Sequence, residues 1–254
     1  MSGPSISQVA TNTYLVDSGL VNWVVVAEGD SLLLVDAGFP GHRRAVEESI
    51  RMIGYQPGQL VAVLLTHAHA DHIGGVPQLV RRYPIPVLTH PAEVAHARGG
   101  LIESVSPLAV LRNAWRPGFP RFGLACALRG GLSHVRVPAT LAFPAGEALD
   151  LPGRPVPVPL PGHTSGHCGY LLPDAGAVIT GDALVTGHAT SQEWGPQLLA
   201  PMFNTDHERA VRTLDKLADL DADLLLPGHG TAYCGSLPDA VALARARAET
   251  HLIR

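Results

Sequence analysis

The stretch Thr66-His67-Ala68-His69-Ala70-Asp71-His72-Ile73-Gly74-Gly75 (THAHADHIGG, 66–75) decides the reading of this chain. It follows the apolar run VAVLL (61–65), which reads as a buried strand. Strand alternation sends His67 and His69 to the same side as that strand ends. Asp71 and His72 then fall at the turn into a helix that starts near Ile73. Four strong ligands in so short a loop make little sense as packing, because desolvating them is costly unless something binds them. Imidazole nitrogens with carboxylate oxygens suit zinc, manganese or iron. The pattern is more specific than a pair of histidines on a helix.

Working outward, other short motifs carry more ligand-type residues. Asp36 closes the run Leu32–Val35, PGHTSGH (161–167) carries His163 and His167, TGDAL (180–184) carries Asp182, and PGHG (227–230) carries His229. An internal echo links them. WVVVAEGDSLLLVDAG (23–38) aligns without a gap on GYLLPDAGAVITGDAL (169–184), so that Asp36 falls on Asp182. Each copy is followed by a helix and then by an apolar strand ending in histidine, VLLTH with His67 and LLLPGH with His229. Repetition of hairpin, aspartate, helix, strand and histidine predicts two similar α/β halves facing each other.

Helices are expected over Pro40–Ile53, after a capping box of Thr205 and Glu208, and from Pro238 toward the last residue. The stretch from Glu93 to Ala139 breaks the rhythm. Leu101, Val105, Leu108 and Leu111 follow helical spacing, and Trp115 to Pro120 reads as a turn-rich connection. Its apolar content predicts burial against the body, a second subunit or a substrate, and we read the segment as a cap inserted near the site.

These motifs, in this order, resemble those of the metallo-β-lactamase superfamily: an aspartate after an early strand, HxHxDH, PGHTSGH, TGDAL and PGHG. The resemblance spans roughly residues 14 to 233. It implies an α/β fold, a four-layer αββα sandwich of two similar halves, as a single domain over 1–254 with the inserted cap at about 93–139. By position it implies one metal on His67, His69 and His163, another on Asp71, His72 and His229, and Asp182 bridging both. Two divalent ions, zinc first and manganese or iron otherwise, would then supply a hydroxide as nucleophile, with Asp71 and Asp182 as the catalytic carboxylates. Asp36 and His167 are expected to support the ligands from behind. Trp115, Phe119, Phe122 and His188 are the expected substrate-pocket residues.

An aspartate at 182 is not what true β-lactamases of this fold use as a bridge, so the chain is more similar to the glyoxalase II and lactonase branch. The implied reaction is hydrolysis of a thioester, lactone or ester with an apolar acyl part. The alternatives are a mononuclear iron enzyme like the persulfide dioxygenases, or a lactam or phosphodiester hydrolase of the same fold.

Bulk properties bound the partners. Net charge is −4, so no global positive field draws in nucleic acid or an anionic membrane. Of the 18 basic residues all but Lys216 are arginine. Cys126, Cys168 and Cys234 form no CxxC pair, which argues against both a disulfide framework and a zinc knuckle. No basic-then-apolar leader and no run of ~18 apolar residues is visible. The expectation is a cytoplasmic protein acting on a small molecule, with a homodimer left open by the apolar insertion.

Overall fold

The computed structural model describes residues 3–144 and 147–252. Two sheets form its centre. The first runs in the order β1 (Ser5–Ala10), β2 (Thr13–Asp17), β3 (Asn22–Glu28), β4 (Ser31–Val35), β5 (Leu60–Leu64), β6 (Val87–Thr89) and β7 (Leu141–Ala142). The second contains β8 (Val156–Pro159), β9 (Cys168–Leu172), β10 (Ala177–Gly181), β11 (Leu224–Pro227) and β12 (Tyr233–Cys234), in that spatial order.

The internal echo has a structural counterpart. β3 and β4 pair antiparallel and β4 pairs parallel with β5; β9 and β10 pair antiparallel and β10 pairs parallel with β11. A parallel pair needs a crossover, and α1 (Arg43–Met52) supplies the first. The second contains α7 (His207–Thr213) and α8 (Asp215–Ala218).

Alternation along the strands splits their side chains between layers. Leu15, Val24, Val26, Leu33 and Leu64 of the first sheet meet Tyr170, Leu172, Ile179 and Leu226 of the second in a central core. On the other face of the first sheet Trp23, Val25, Leu32 and Val63 pack with Val46 and Ile50 of α1 and with Leu79 of α3 (Val76–Arg82). The outer face of the second sheet, with Val158, Val178 and Leu225, packs on Leu214, Leu217 and, from α9 (Leu237–Leu252), Val241 and Ala244. Both faces of both sheets are therefore covered, which is why β3 and β4 read as continuous apolar runs. The result is the four-layer αββα sandwich.

Between β6 and β7 the chain makes α4 (Val94–Ala97), α5 (Pro107–Arg112) and α6 (Phe119–Leu128). Here the structure corrects the helical spacing expected from Leu101 onward. Ser106 is extended (ψ 131°) ahead of Pro107, as the proline ring requires of its predecessor, so no helix runs through from 101 to 111. Nor are all the apolar side chains of this segment buried: Leu108, Leu111, Trp115, Leu124, Leu128 and Leu132 are exposed. The capping expectation also changes. Asp206, not Thr205, caps α7 by accepting from Arg209 N, while the Thr205 hydroxyl donates to the His163 carbonyl. Among the described residues no helix is long and apolar enough to cross a membrane.

Candidate metal centre

The ligand-type residues collect at one edge of the sandwich because the strands that carry them end there. Asp36 follows β4, His67 to His72 follow β5, His163 lies between β8 and β9, Asp182 follows β10 and His229 follows β11. α2 (Ala70–Ile73) starts within the HxHxDH loop and holds Asp71 and His72 on its single turn.

Each of the five histidines has one ring nitrogen tied to an acceptor outside the cluster and the other turned inward. His67 Nδ1–H donates to Thr66 Oγ1 (3.0 Å), and His69 Nε2–H donates to the Glu103 carbonyl. His72 Nδ1–H donates to Asp36 Oδ2 (2.8 Å), His163 Nδ1–H to Asn204 Oδ1 (3.1 Å), and His229 Nδ1–H to the Leu20 carbonyl. These partners assign the tautomers, so the inward nitrogens carry lone pairs.

Those lone pairs face each other. His69 Nδ1 lies 3.1 Å from His67 Nε2 and 2.9 Å from His163 Nε2. The other two face carboxylates: His72 Nε2 is 3.3 Å from Asp182 Oδ1, and His229 Nε2 is 3.3 Å from Asp182 Oδ2 and 3.6 Å from Asp71 Oδ2. His72 Nε2 and Asp182 Oδ1 are buried without a hydrogen-bond partner. A cluster of buried acceptors with their protons outside is stable only around positive charge. The donor set therefore fits metal, with His67, His69 and His163 in one triad, Asp71, His72 and His229 in another, and an overlapping third of His67, His72 and Asp182. Asp182 Oδ2 lies 3.5 Å from His163 Nε2 and 3.3 Å from His229 Nε2, between the first two triads. Gly228 leaves room for this arrangement, since a Cβ there would stand 2.2 Å from Asp182 Oδ1.

Electrostatics separate the histidines of the first two triads. Burial, then neighbouring histidines, hold His67 and His163 well below the usual imidazole range, and burial lowers His69. Burial also opposes charge on His72 and His229, yet Asp182, with Asp71 and for His72 Asp36, overrides it and raises both. Asp182 in turn is pulled well below the usual carboxylate range: burial works against its charge, and His229 and His72 outweigh it.

Asp36 sits behind the cluster. Its Oδ1 accepts from Thr66 N (2.9 Å), and its Oδ2 from Thr66 Oγ1 (2.7 Å) and His72 Nδ1. The residue is buried with φ +62°, a left-handed backbone that an aspartate tolerates better than most side chains. His167, fully buried and kept neutral by that burial (pushed down to about 4), accepts from Asp182 N at 3.1 Å. Sequence reasoning missed Asn204, which holds His163 and whose amide donates to His207 Nδ1. It also missed the carbonyls of Leu20 and Glu103, since a backbone acceptor leaves no side-chain signal.

The cluster floors a cavity of about 210 Å³. His69, Asp71, His163, Asp182 and His229 line its base, and Phe39, Phe119, Phe122, Cys126, Leu199 and Phe203 are among its walls. Of the residues expected at a substrate pocket, Phe119, Phe122 and His188 line this cavity. Trp115 does not. It is 80% exposed in the turn between α5 and α6 and lines an outer groove with Arg121, its ring near the Arg116 guanidinium (6.0 Å). The inner faces of those helices, through Val110, Phe119, Phe122 and Cys126, line the cavity in its place.

Cys126 is the one thiol of the wall, and burial pushes it up to about 12. It is therefore a neutral thiol through the neutral range and not a nucleophile. Iodoacetamide at neutral pH should label exposed Cys234 well before Cys126, as read by peptide mass spectrometry. Equal labelling rates would contradict this assignment of Cys126.

The sequence model of the metallo-beta-lactamase superfamily matches residues 16–229. The chain is 28% identical over 231 residues to the probable metallo-hydrolase YflN of Bacillus subtilis, covering 82% of this chain and 79% of that protein. It is 28% identical to an atrochrysone carboxyl ACP thioesterase of Aspergillus fumigatus, covering 87% of this chain and 50% of that protein. Among solved structures, a HARLDQ-motif mutant of a metallo-beta-lactamase from Cronobacter sakazakii superposes with a TM-score of 0.70 at 19% identity, covering 100% of this chain and 98% of that one, a likeness of fold. With the sandwich, the motif order and the inward-facing cluster, these matches establish that this chain belongs to the metallo-beta-lactamase superfamily, as an enzyme of its metallo-hydrolase kind.

Proposed function

We propose that the chain hydrolyses an activated acyl bond, a thioester, lactone or ester with an uncharged apolar acyl part, using two divalent metal ions, zinc in the first place. His67, His69 and His163 would hold one ion, Asp71, His72 and His229 the other, and Asp182 both. Bound there, the ions supply a water acidic enough to lose its proton near neutral pH and a Lewis acid for the acyl oxygen.

The observation that carries the substrate class is the lining of the cavity above the cluster. Away from the cluster, Ser104 and His188 it is apolar, and among the described residues no lysine or arginine lines it. Beyond the ions themselves, a lactam carboxylate or a phosphodiester would find no cationic side chain along this lining, which disfavours both. The thioesterase name of the Aspergillus relative points the same way.

The chain's own groups then divide the work. Asp71 is more exposed than Asp182, 18% against 3%, and would orient the attacking water. His188 accepts at Nδ1 from Thr190 N (3.3 Å) and lies against Thr190 Oγ1 (2.7 Å), so its proton sits on Nε2. Its ring lines the cavity edge-on to His229, with centroids 4.9 Å apart, and presents a hydrogen-bond donor beside the cluster. Burial pushes it down to about 3, so this donor is neutral. The phenylalanine walls exclude bulk water from the reacting bond.

The test is a series of acyl thioesters and esters lengthened from acetyl. Each methylene buried in the cavity is worth ~0.8 kcal/mol, so kcat/KM should climb about three- to fourfold per carbon until the cavity is full. A flat series would refute the apolar pocket. Metal analysis and oxygen uptake on the same preparation separate this reading from an iron dioxygenase. Two ions with acid release support the hydrolase; one iron with oxygen consumption overturns it.

A further inference from the structure

Glu93, the first residue of the inserted segment, is a wholly buried carboxylate for which the reading of the sequence had no role. Its Oε1 accepts from Ala68 N (2.9 Å) and His96 Nδ1 (2.9 Å), and its Oε2 from the Thr164 hydroxyl (2.8 Å) and Gly166 N (3.1 Å). Ala68 lies between His67 and His69, and Thr164 follows His163. The close approach is built in, because a Cβ at Gly166 would stand 2.3 Å from Glu93 N. Glu103, further along the insertion, repeats the connection. Its carbonyl accepts from His69 Nε2, its Oε2 accepts from Ser165 N (2.7 Å), and its N–H donates to His96 Nε2 (3.4 Å).

Glu93, His96 and Glu103 lie close enough together to be taken for a metal site of their own. The bonds argue otherwise. Both oxygens of Glu93 and both nitrogens of His96 are already occupied by protein partners, so the group is framework. Burial opposes the charge of Glu93, yet the hydrogen bonds from His96, Thr164 and Ala68 hold it below the usual carboxylate range.

The supports of the two halves of the cluster differ. His72 is held by Asp36 and His229 by the Leu20 carbonyl, both from the body of the sandwich. The rings of His67 and His163 are also held from the body, by Thr66 and Asn204, but the loops of His69 and His163 are tied to each other by residues of the insertion. We propose that Glu93 is a positioning residue for one cation position only, that of His67, His69 and His163, which it assembles by clamping the HxHxDH loop to the loop of His163. The insertion is then part of the metal-binding apparatus as well as a wall of the cavity. This inference rests on the proposed two-position reading of the cluster.

The experiment titrates zinc into the metal-free full chain against a chromogenic chelator, which reads affinity without turnover. His69→Ala and His229→Ala assign the two binding steps of the wild type to their positions. In Glu93→Gln, the amide nitrogen turns a donor toward donors, and one loop loses its tie. The step assigned by His69→Ala should weaken about 10- to 100-fold, the size of effect seen when a ligand loses its outer partner, while the step assigned by His229→Ala stays within a factor of about three. Thr164→Val removes one of the same bonds and should weaken the same step by less; it carries the test if Glu93→Gln does not fold. Two wild-type steps that both survive, or that fall together, overturn the role of Glu93. A wild type that binds a single equivalent overturns the two-position reading, and the selectivity with it.

Discussion

Asp182→Ala should cut turnover by about 10³-fold or more and leave the protein with fewer metal ions than the wild type. The carboxylate places its two oxygens within 4.0 Å of the inward nitrogens of His67, His72, His163 and His229. Two cations ~3.5–4 Å apart need a shared anion to offset their repulsion, and losing it costs several kcal/mol, each 1.36 of which is tenfold in rate. The weaker-held ion should leave. Stability of the metal-loaded protein should then fall by the part that this ion contributes through linkage, about 2.7 kcal/mol at a hundredfold excess over Kd. Metal analysis, kcat and thermal melting on one preparation read all of this. A variant that keeps both ions and near-normal turnover would show that Asp182 is not the bridge.

Asp36→Ala should damage folding as well as the site. Three donors, Thr66 N, Thr66 Oγ1 and His72 Nδ1, would lose their acceptor in a buried place, at roughly 1–3 kcal/mol each before relaxation. Alanine also tolerates φ +62° less well than aspartate. A net loss of about 3–5 kcal/mol is a large part of what holds a domain folded. Asp36→Asn keeps one acceptor oxygen and the backbone tolerance, so it should fold better while still weakening the position of Asp71, His72 and His229 about 10- to 100-fold. Denaturant unfolding of the metal-free proteins isolates the first effect, and zinc titration the second. A loss below about 1 kcal/mol with unchanged affinity would reduce Asp36 to the end of a strand.

Much of this protein could be read before its structure, and the parts share one property: each is written within a few neighbouring residues. The cluster of His67, His69, Asp71 and His72 is local because one strand end and one helical turn fix it. The halves of the sandwich were visible because strand, turn and aspartate recur together at 23–38 and 169–184. Burial on both faces also writes itself into β3 and β4 as uninterrupted apolar runs. Trp115 and the helix expected from Leu101 failed for a local reason too. Helical spacing has no meaning where Pro107 forces Ser106 to be extended, and the side chain in the following turn faces outward.

What the tertiary structure alone decided is which distant groups meet. Phe39, Phe119 and Phe203 come from separate segments and share no spacing, yet they wall one cavity. Leu20 and Glu103 act through carbonyls, which any residue could supply, and no motif or spacing marks Glu93 in the sequence. Their roles follow from the packing of two sheets and one insertion, which brings Glu93 against Thr164 and Leu20 against His229. The sequence determined which chemistry sits at each strand end, because those geometries need only local backbone. The shape of the pocket and the supports of the ligands depend on contacts across the whole chain, and those exist only once the layers have packed.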